Sequence, residues 1–214
     1  MMPRTLTLLL LSSLCAWGAR AADETLIQPI QEEWALVKYQ VPEKQQGERY
    51  HDLARRAGRL AESHPGSAEA LIWEGIVLSS EAGAKGGLGA LSLAKEARQR
   101  FEAALKLDER ALQGSAYTSL GSLYYKVPGW PIGFGDKAKA ENLLKKALAI
   151  NPDGIDANFF YADFLTEQDR YAEARRHLDT ALKAAPRPGR EMADSGRRQE
   201  IQALLAKVRK NLEN

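Results

Sequence analysis

The chain has 214 residues, 44% of them hydrophobic and 27% charged, with 30 Lys plus Arg against 28 Asp plus Glu. That length holds one domain or a short repeat array, and that composition excludes both a polytopic membrane protein and a disordered chain. The single Cys excludes an internal disulfide framework and a thiolate zinc site.

Residues 1–21 read MMPRTLTLLLLSSLCAWGARA. Arg4 supplies a positive start, Leu6 to Trp17 an apolar stretch, and Ala19-Arg20-Ala21 a small-x-small cleavage site, the three parts of a secretory signal. The apolar stretch falls short of the roughly 20 residues that span a bilayer. Leu14 stands where a lipobox would have a small residue before Cys15, so a lipoprotein is not expected. Cleavage after Ala21 would remove Arg4 and Arg20, taking the 30 basic residues to 28, level with the 28 acidic ones. A neutral body gives no general attraction to nucleic acid, and the expected location is the periplasm.

Residues 22–66 read as a worn helical pair. Its first helix lies near Leu26–Tyr39, and its second, Tyr50 to Glu62, ends at His64-Pro65-Gly66. Beyond it the sequence repeats. Ala174, Leu178, Ala181 and Pro186 are spaced 4, 3 and 5 residues apart, as are Ala140, Leu144, Ala147 and Pro152. The spacing recurs at Ala97, Phe101 and Ala104, with Glu109 in the Pro position. Leu120-Gly121-x-x-Tyr124 precedes one set, and a degenerate Glu74-Gly75-x-x-Leu78 another.

These phrases resemble the tetratricopeptide repeat, over roughly residues 67–186. The resemblance implies an all-α solenoid of antiparallel helix pairs in a right-handed superhelix, with repeats at 67–110, 111–154 and 155–186. Residues 187–214 would then be a Pro-rich linker and a C-terminal capping helix, in which Ile201, Leu204, Leu205 and Val208 mark the buried face. The residues support an all-α reading independently: Leu143, Leu144, Ala147 and Leu148 keep the helical period, and no stretch alternates as a strand does.

The period is 34 residues from Ala140 to Ala174 but 43 from Ala97 to Ala140. Extra residues therefore lie between the helices of the first two repeats, and repeats place insertions in loops on one face. The first, Glu81 to Leu91, has Gly86, Gly87 and Gly89 behind Lys85. It matches no phosphate-binding pattern and reads as a turn rather than an anion nest. The second, Lys126 to Asp136, carries Trp130, Ile132 and Phe134 between two Pro and three Gly. A loop this apolar packs on its own protein or awaits a partner, and packing is favoured because Trp and Phe rarely stay exposed. Asp136 is placed to cap the helix that follows.

By the resemblance, the first helix of each repeat lines the concave face. The second repeat would offer Thr118, Ser122, Tyr125 and Lys126, and the third Phe159, Asp163, Thr166 and Glu167. Relatives that grip terminal carboxylates use Lys, Arg and Asn there. Only Lys126 could do so here, and Asp163 with Glu167 would repel a carboxylate. A groove of hydroxyls, aromatics and acids suits a peptide or small polar ligand; a solvated acidic helix face is the competing reading.

Catalytic patterns fail. Ser92-Leu-Ala-Lys95 has the S-x-x-K spacing without its S-D-N and K-T-G companions. His51, His64 and His177 lack metal-ligand spacing, and no cofactor or metal is expected. Arg187, Arg190, Arg197 and Arg198 cluster around the linker, where solubility and ion pairing account for them more simply than an acidic partner.

The expected function is an exported, non-catalytic adaptor that holds a protein or peptide in the cell envelope, where it would associate peripherally with larger complexes. Trp130 and Phe134, with Ile132, Lys126, Phe159 and Glu167 around them, are the candidate partner contacts, and Tyr125 with Asp163 would orient polar groups. The alternative is an accessory ligand-binding component of an envelope solute transport system of the tripartite type.

Overall fold

The computed structural model describes residues 11–213, with side chains from residue 25 onward except that of Leu88. Residues 1–10 of the expected export signal therefore lie outside the described residues. The elements are α1 (Leu11–Gln40), α2 (Glu43–Ser63), α3 (Ala68–Lys85), α4 (Gly87–Leu107), α5 (Ser115–Lys126), α6 (Lys137–Ile150), α7 (Ile155–Thr166), α8 (Tyr171–Lys183) and α9 (Glu191–Leu212), with a short 3-10 turn at Ala111–Gly114. Among the described residues there is no strand, only an isolated bridge between Gly129 and Gly135.

The repeated positions are the core. Ala97, Phe101 and Ala104 on α4, Ala140, Leu144 and Ala147 on α6, and Ala174, Leu178 and Ala181 on α8 are all fully buried. Spacings of 3 and 4 put each trio on one helical stripe, and that stripe faces the preceding helix. The facing residue is small because the axes approach closely. A β-carbon on Gly75 would lie 2.6 Å from the Phe101 ring, and one on Gly121 would lie 2.8 Å from Leu144 Cγ. Burying Phe101 and Leu144 contributes roughly 2–3 kcal/mol each by transfer.

The caps are mostly local. Ser67 accepts a hydrogen bond from the Ala70 amide and starts α3, and Asp136 accepts one from the Lys139 amide at 2.9 Å and starts α6. Both satisfy amides that the first helical turn leaves free. The first insertion makes no loop. α3 and α4 have 18 and 21 residues, against 12 and 14 for α5 and α6. The added residues lengthen both helices, and the connection is the tight Gly86-Gly87 turn, where φ is 60° and 66°. Any other residue type would be strained at both positions.

Helices pair as α1 with α2, α3 with α4, α5 with α6 and α7 with α8, and α9 packs on α8. The first members also touch in sequence, α1 on α3, α3 on α5, α5 on α7 and α7 on α9. The series then returns to its start, because α9 packs on α1. Five inner helices thus form a closed ring, where an open groove is expected from the repeats alone.

Candidate functional site

Tyr125 and Lys126, at the end of α5, meet α7. The Tyr125 hydroxyl donates to Asp163 at 2.8 Å, and the Lys126 ammonium pairs with Asp163 at 2.8 Å and with Glu167. Burial and the neighbouring Asp163 hold the Tyr125 hydroxyl protonated well above the ordinary phenol range. Burial disfavours the Lys126 charge, but Asp163 and Glu167 outweigh it and raise its pKa. The four residues satisfy one another and clamp two successive repeats. Thr118 and Thr166 are buried, and the Thr166 hydroxyl bonds the Ala162 carbonyl.

The second insertion divides its apolar residues. The Gly135 amide donates to the Pro128 carbonyl at 2.9 Å, the Asp136 amide to the Tyr124 carbonyl at 2.8 Å, and the Ile132 and Gly133 amides to the Gly129 carbonyl. The Trp130–Pro131 peptide bond is cis. Phe134 packs edge-on to Tyr124 with ring centres 5.4 Å apart, under the Arg98 guanidinium at 4.6 Å. Phe134 therefore packs back as favoured from sequence. Trp130 and Ile132 do not: they are 90% and 70% exposed. The loop is short and fastened at both ends, so when its base turns Phe134 inward its tip has no surface within reach.

The lumen of the helix ring is a chamber of about 610 Å³. All five inner helices line it, through residues such as Trp34, Ile76, Ser122, Phe159 and Arg197. Tyr50 of α2 lines it as well; the residue is 1% exposed, and its buried hydroxyl has no hydrogen-bond partner among the described residues. Burial, with Tyr39 and Glu200 nearby, pushes that hydroxyl well above the ordinary phenol range. Of the groove residues expected from sequence, Ser122 and Phe159 face this chamber, while Tyr125, Lys126, Asp163 and Glu167 do not.

The arginine cluster is structural. Arg187 and Arg197 donate to the two Asp156 oxygens at 2.7 and 2.8 Å. Arg187 also bonds Asp194, and Arg197 bonds Glu200 at 2.7 Å and lies over Phe159 and Phe160. Burial alone would raise the Asp156 pKa, but Arg197 and Arg187 hold it well below the usual carboxylate range. Arg198 bonds the Leu182 and Ala184 carbonyls at the end of α8. Here sequence reasoning missed that Asp156, 41 residues before Arg197, is the anchor of α9. The one available signal was an acid in the first turn of a helix facing a basic linker.

Among the described residues, no group of three or more His, Cys, Asp and Glu could hold a metal ion, and no helix is long and apolar enough to cross a membrane. The molecule is thus an all-α solenoid of antiparallel helix pairs, with polar groups used mainly to fasten one pair to the next. Residues 132–208 match the family model described as tetratricopeptide repeat. No curated protein matches the sequence.

Solved structures similar in fold include the following three. One is MamA, at 18% identity, with 79% of this chain and 92% of that one covered and a TM-score of 0.45. Another is a thermophilic TPR protein of Thermus thermophilus, at 16% identity, with 86% and 99% covered and a TM-score of 0.46. The third, PilF of Pseudomonas aeruginosa, has 17% identity, 89% of each chain covered and a TM-score of 0.36.

Proposed function

We propose that this protein is a non-catalytic adaptor that binds a protein or peptide partner through the loop between α5 and α6. The observation that carries this reading is the exposed pair Trp130 and Ile132 on a loop whose backbone bonds are internal. A large apolar pair in water is unfavourable, and fixing it on a fastened loop lowers the ordering cost of association. Tryptophan is also the side chain most often found dominating interface energetics. The solenoid supplies rigidity, and the Tyr125–Asp163 and Lys126–Glu167 contacts set the angle at which the loop stands.

Export to the envelope belongs to the same proposal. It is supported by the layout of residues 1–21. Cleavage after Ala21 would keep every described buried side chain, of which Ile27 is the first, and N-terminal sequencing of the native protein is expected to start at Ala22.

The functional test compares the full chain with a Trp130→Ala, Ile132→Ala double variant in crosslinking from the native envelope, followed by mass spectrometry. One partner should be recovered with the parent chain and lost with the variant, at unchanged melting temperature. Equal recovery by both would remove the loop from the interface.

A further inference from the structure

We propose that the lumen of the helix ring is a second, separate binding site, for one uncharged small molecule with an apolar body and a hydrogen-bonding head. It is distinct from the Trp130 surface and rests on none of the argument for it.

The volume, about 610 Å³, is that of a small-molecule pocket, where roughly 300–1,000 Å³ is usual. Trp34, Ile76, Leu123, Phe159 and Phe160 give it apolar walls from four different helices. Three of the four charges lining the lumen are already matched, since Lys38 lies 3.5 Å from Glu200 and Arg197 bonds both Glu200 and Asp156; the fourth, Glu43, is exposed at the start of α2. Against the paired inner charges an anionic or cationic ligand would have to break a pair before gaining one, and the hydrated Glu43 carboxylate adds repulsion for an anion, so a neutral ligand fits the interior.

The polar demand comes from Tyr50. A buried hydroxyl without a partner costs about 1–3 kcal/mol, and such groups are rare enough to need a reason. A neighbouring hydroxyl escapes the same fate, since Tyr39 donates to Glu200 at 3.2 Å. A ligand head in the lumen would supply the partner Tyr50 lacks.

Ring closure favours a small occupant. An open groove accepts an extended chain from the side, but here α9 on α1 bars that approach.

The test uses the full chain and three probes with one ring system: naphthalene, 1-naphthol and 1-naphthoate, each followed by fluorescence titration at neutral pH. Saturable one-to-one binding is expected in the order naphthol, naphthalene, naphthoate. Tyr50→Phe should cut naphthol affinity about tenfold, the worth of one buried hydrogen bond, leave naphthalene unchanged and make the unliganded protein no less stable. Gly83→Phe should abolish binding of all three; Gly83 lines the lumen on α3, and a β-carbon there meets nothing within 4 Å.

The Trp130→Ala, Ile132→Ala variant should bind the probes as the parent does, so either proposal can fail alone. Absence of saturable binding, naphthoate binding tightest, displacement by peptides but not by neutral aromatics, or binding that survives Gly83→Phe would each overturn the assignment.

Discussion

Tyr39 of α1 and Gly196 of α9 touch where the ring of inner helices closes: a β-carbon on Gly196 would collide with the Tyr39 ring. The contact ties the start of the solenoid to its end, and only a residue without a side chain permits it. Lys38 and Tyr39 reinforce it by reaching Glu200 on the same face of α9.

Gly196→Ala should therefore destabilise the fold although alanine is the better helix former. The propensity gain is about 1 kcal/mol and the overpacking cost up to ~3 kcal/mol, for a net loss of roughly 1–2 kcal/mol. Gly83→Ala, where nothing crowds the new atom, should instead gain about 0.5–1 kcal/mol. Urea midpoints of the two variants, at equal m-value, should move in opposite directions.

Arg197→Ala should cost about 3 kcal/mol, because it leaves Asp156 and Glu200 short of a cation in a largely buried network. Hydrogen exchange is the sharper readout. Amides of α9 and of the C-terminal half of α1 should lose protection together, while α5 and α6 keep theirs.

Tyr125→Phe removes the bond to Asp163 and keeps the buried ring. A hydrogen bond to a carboxylate contributes about 1.5–3 kcal/mol, and Lys126 remains to satisfy the acid. The melting temperature should fall by roughly 3–12 °C. Lys126→Ala, on a half-exposed ammonium, should cost less than about 1 kcal/mol.

Acid should loosen the contact between α6 and the turn that leads into α8, where Arg170 meets Glu141, in a defined window. Hydrogen bonds from Arg170 and Lys145, working against burial, lower the Glu141 pKa from 4.5 to about 2. A folded-state pKa below the unfolded one means that this stabilisation is complete above pH 4.5 and is lost as pH falls toward 2. Glu141→Gln should flatten the fall in melting temperature across that interval and leave the curve above pH 5 nearly parallel to the parent's.

Much of this architecture was legible because a repeat states its core several times. Ala140, Leu144 and Ala147 are buried for the same reason as Ala174, Leu178 and Ala181, and the glycine of Leu120-Gly121 is required by Leu144. The insertions were legible only by length. Nothing in a run of Ala, Gly and Lys distinguishes a loop from two longer helices, and α3 and α4 took the helical course.

The site was harder to read. Hydrophobicity placed Trp130 and Phe134 alike, yet one is exposed and the other clasped between Tyr124 and Arg98, a difference set by which way a tight turn points. Tyr125 and Asp163 pair with each other because successive repeats bring positions 38 residues apart into register. The closure at Gly196 depends on the accumulated angle of every helix pair before it, which no local pattern encodes.

A linear stack of hairpins normally melts inward from its tips, since each outermost unit has one neighbour and inner units have two. With Tyr39 seated on Gly196, both tips have acquired a second neighbour in each other. Fraying then has no place to begin, and the number of hairpins is locked as firmly as the number of staves in a barrel: one more or one fewer, and the hoop does not meet.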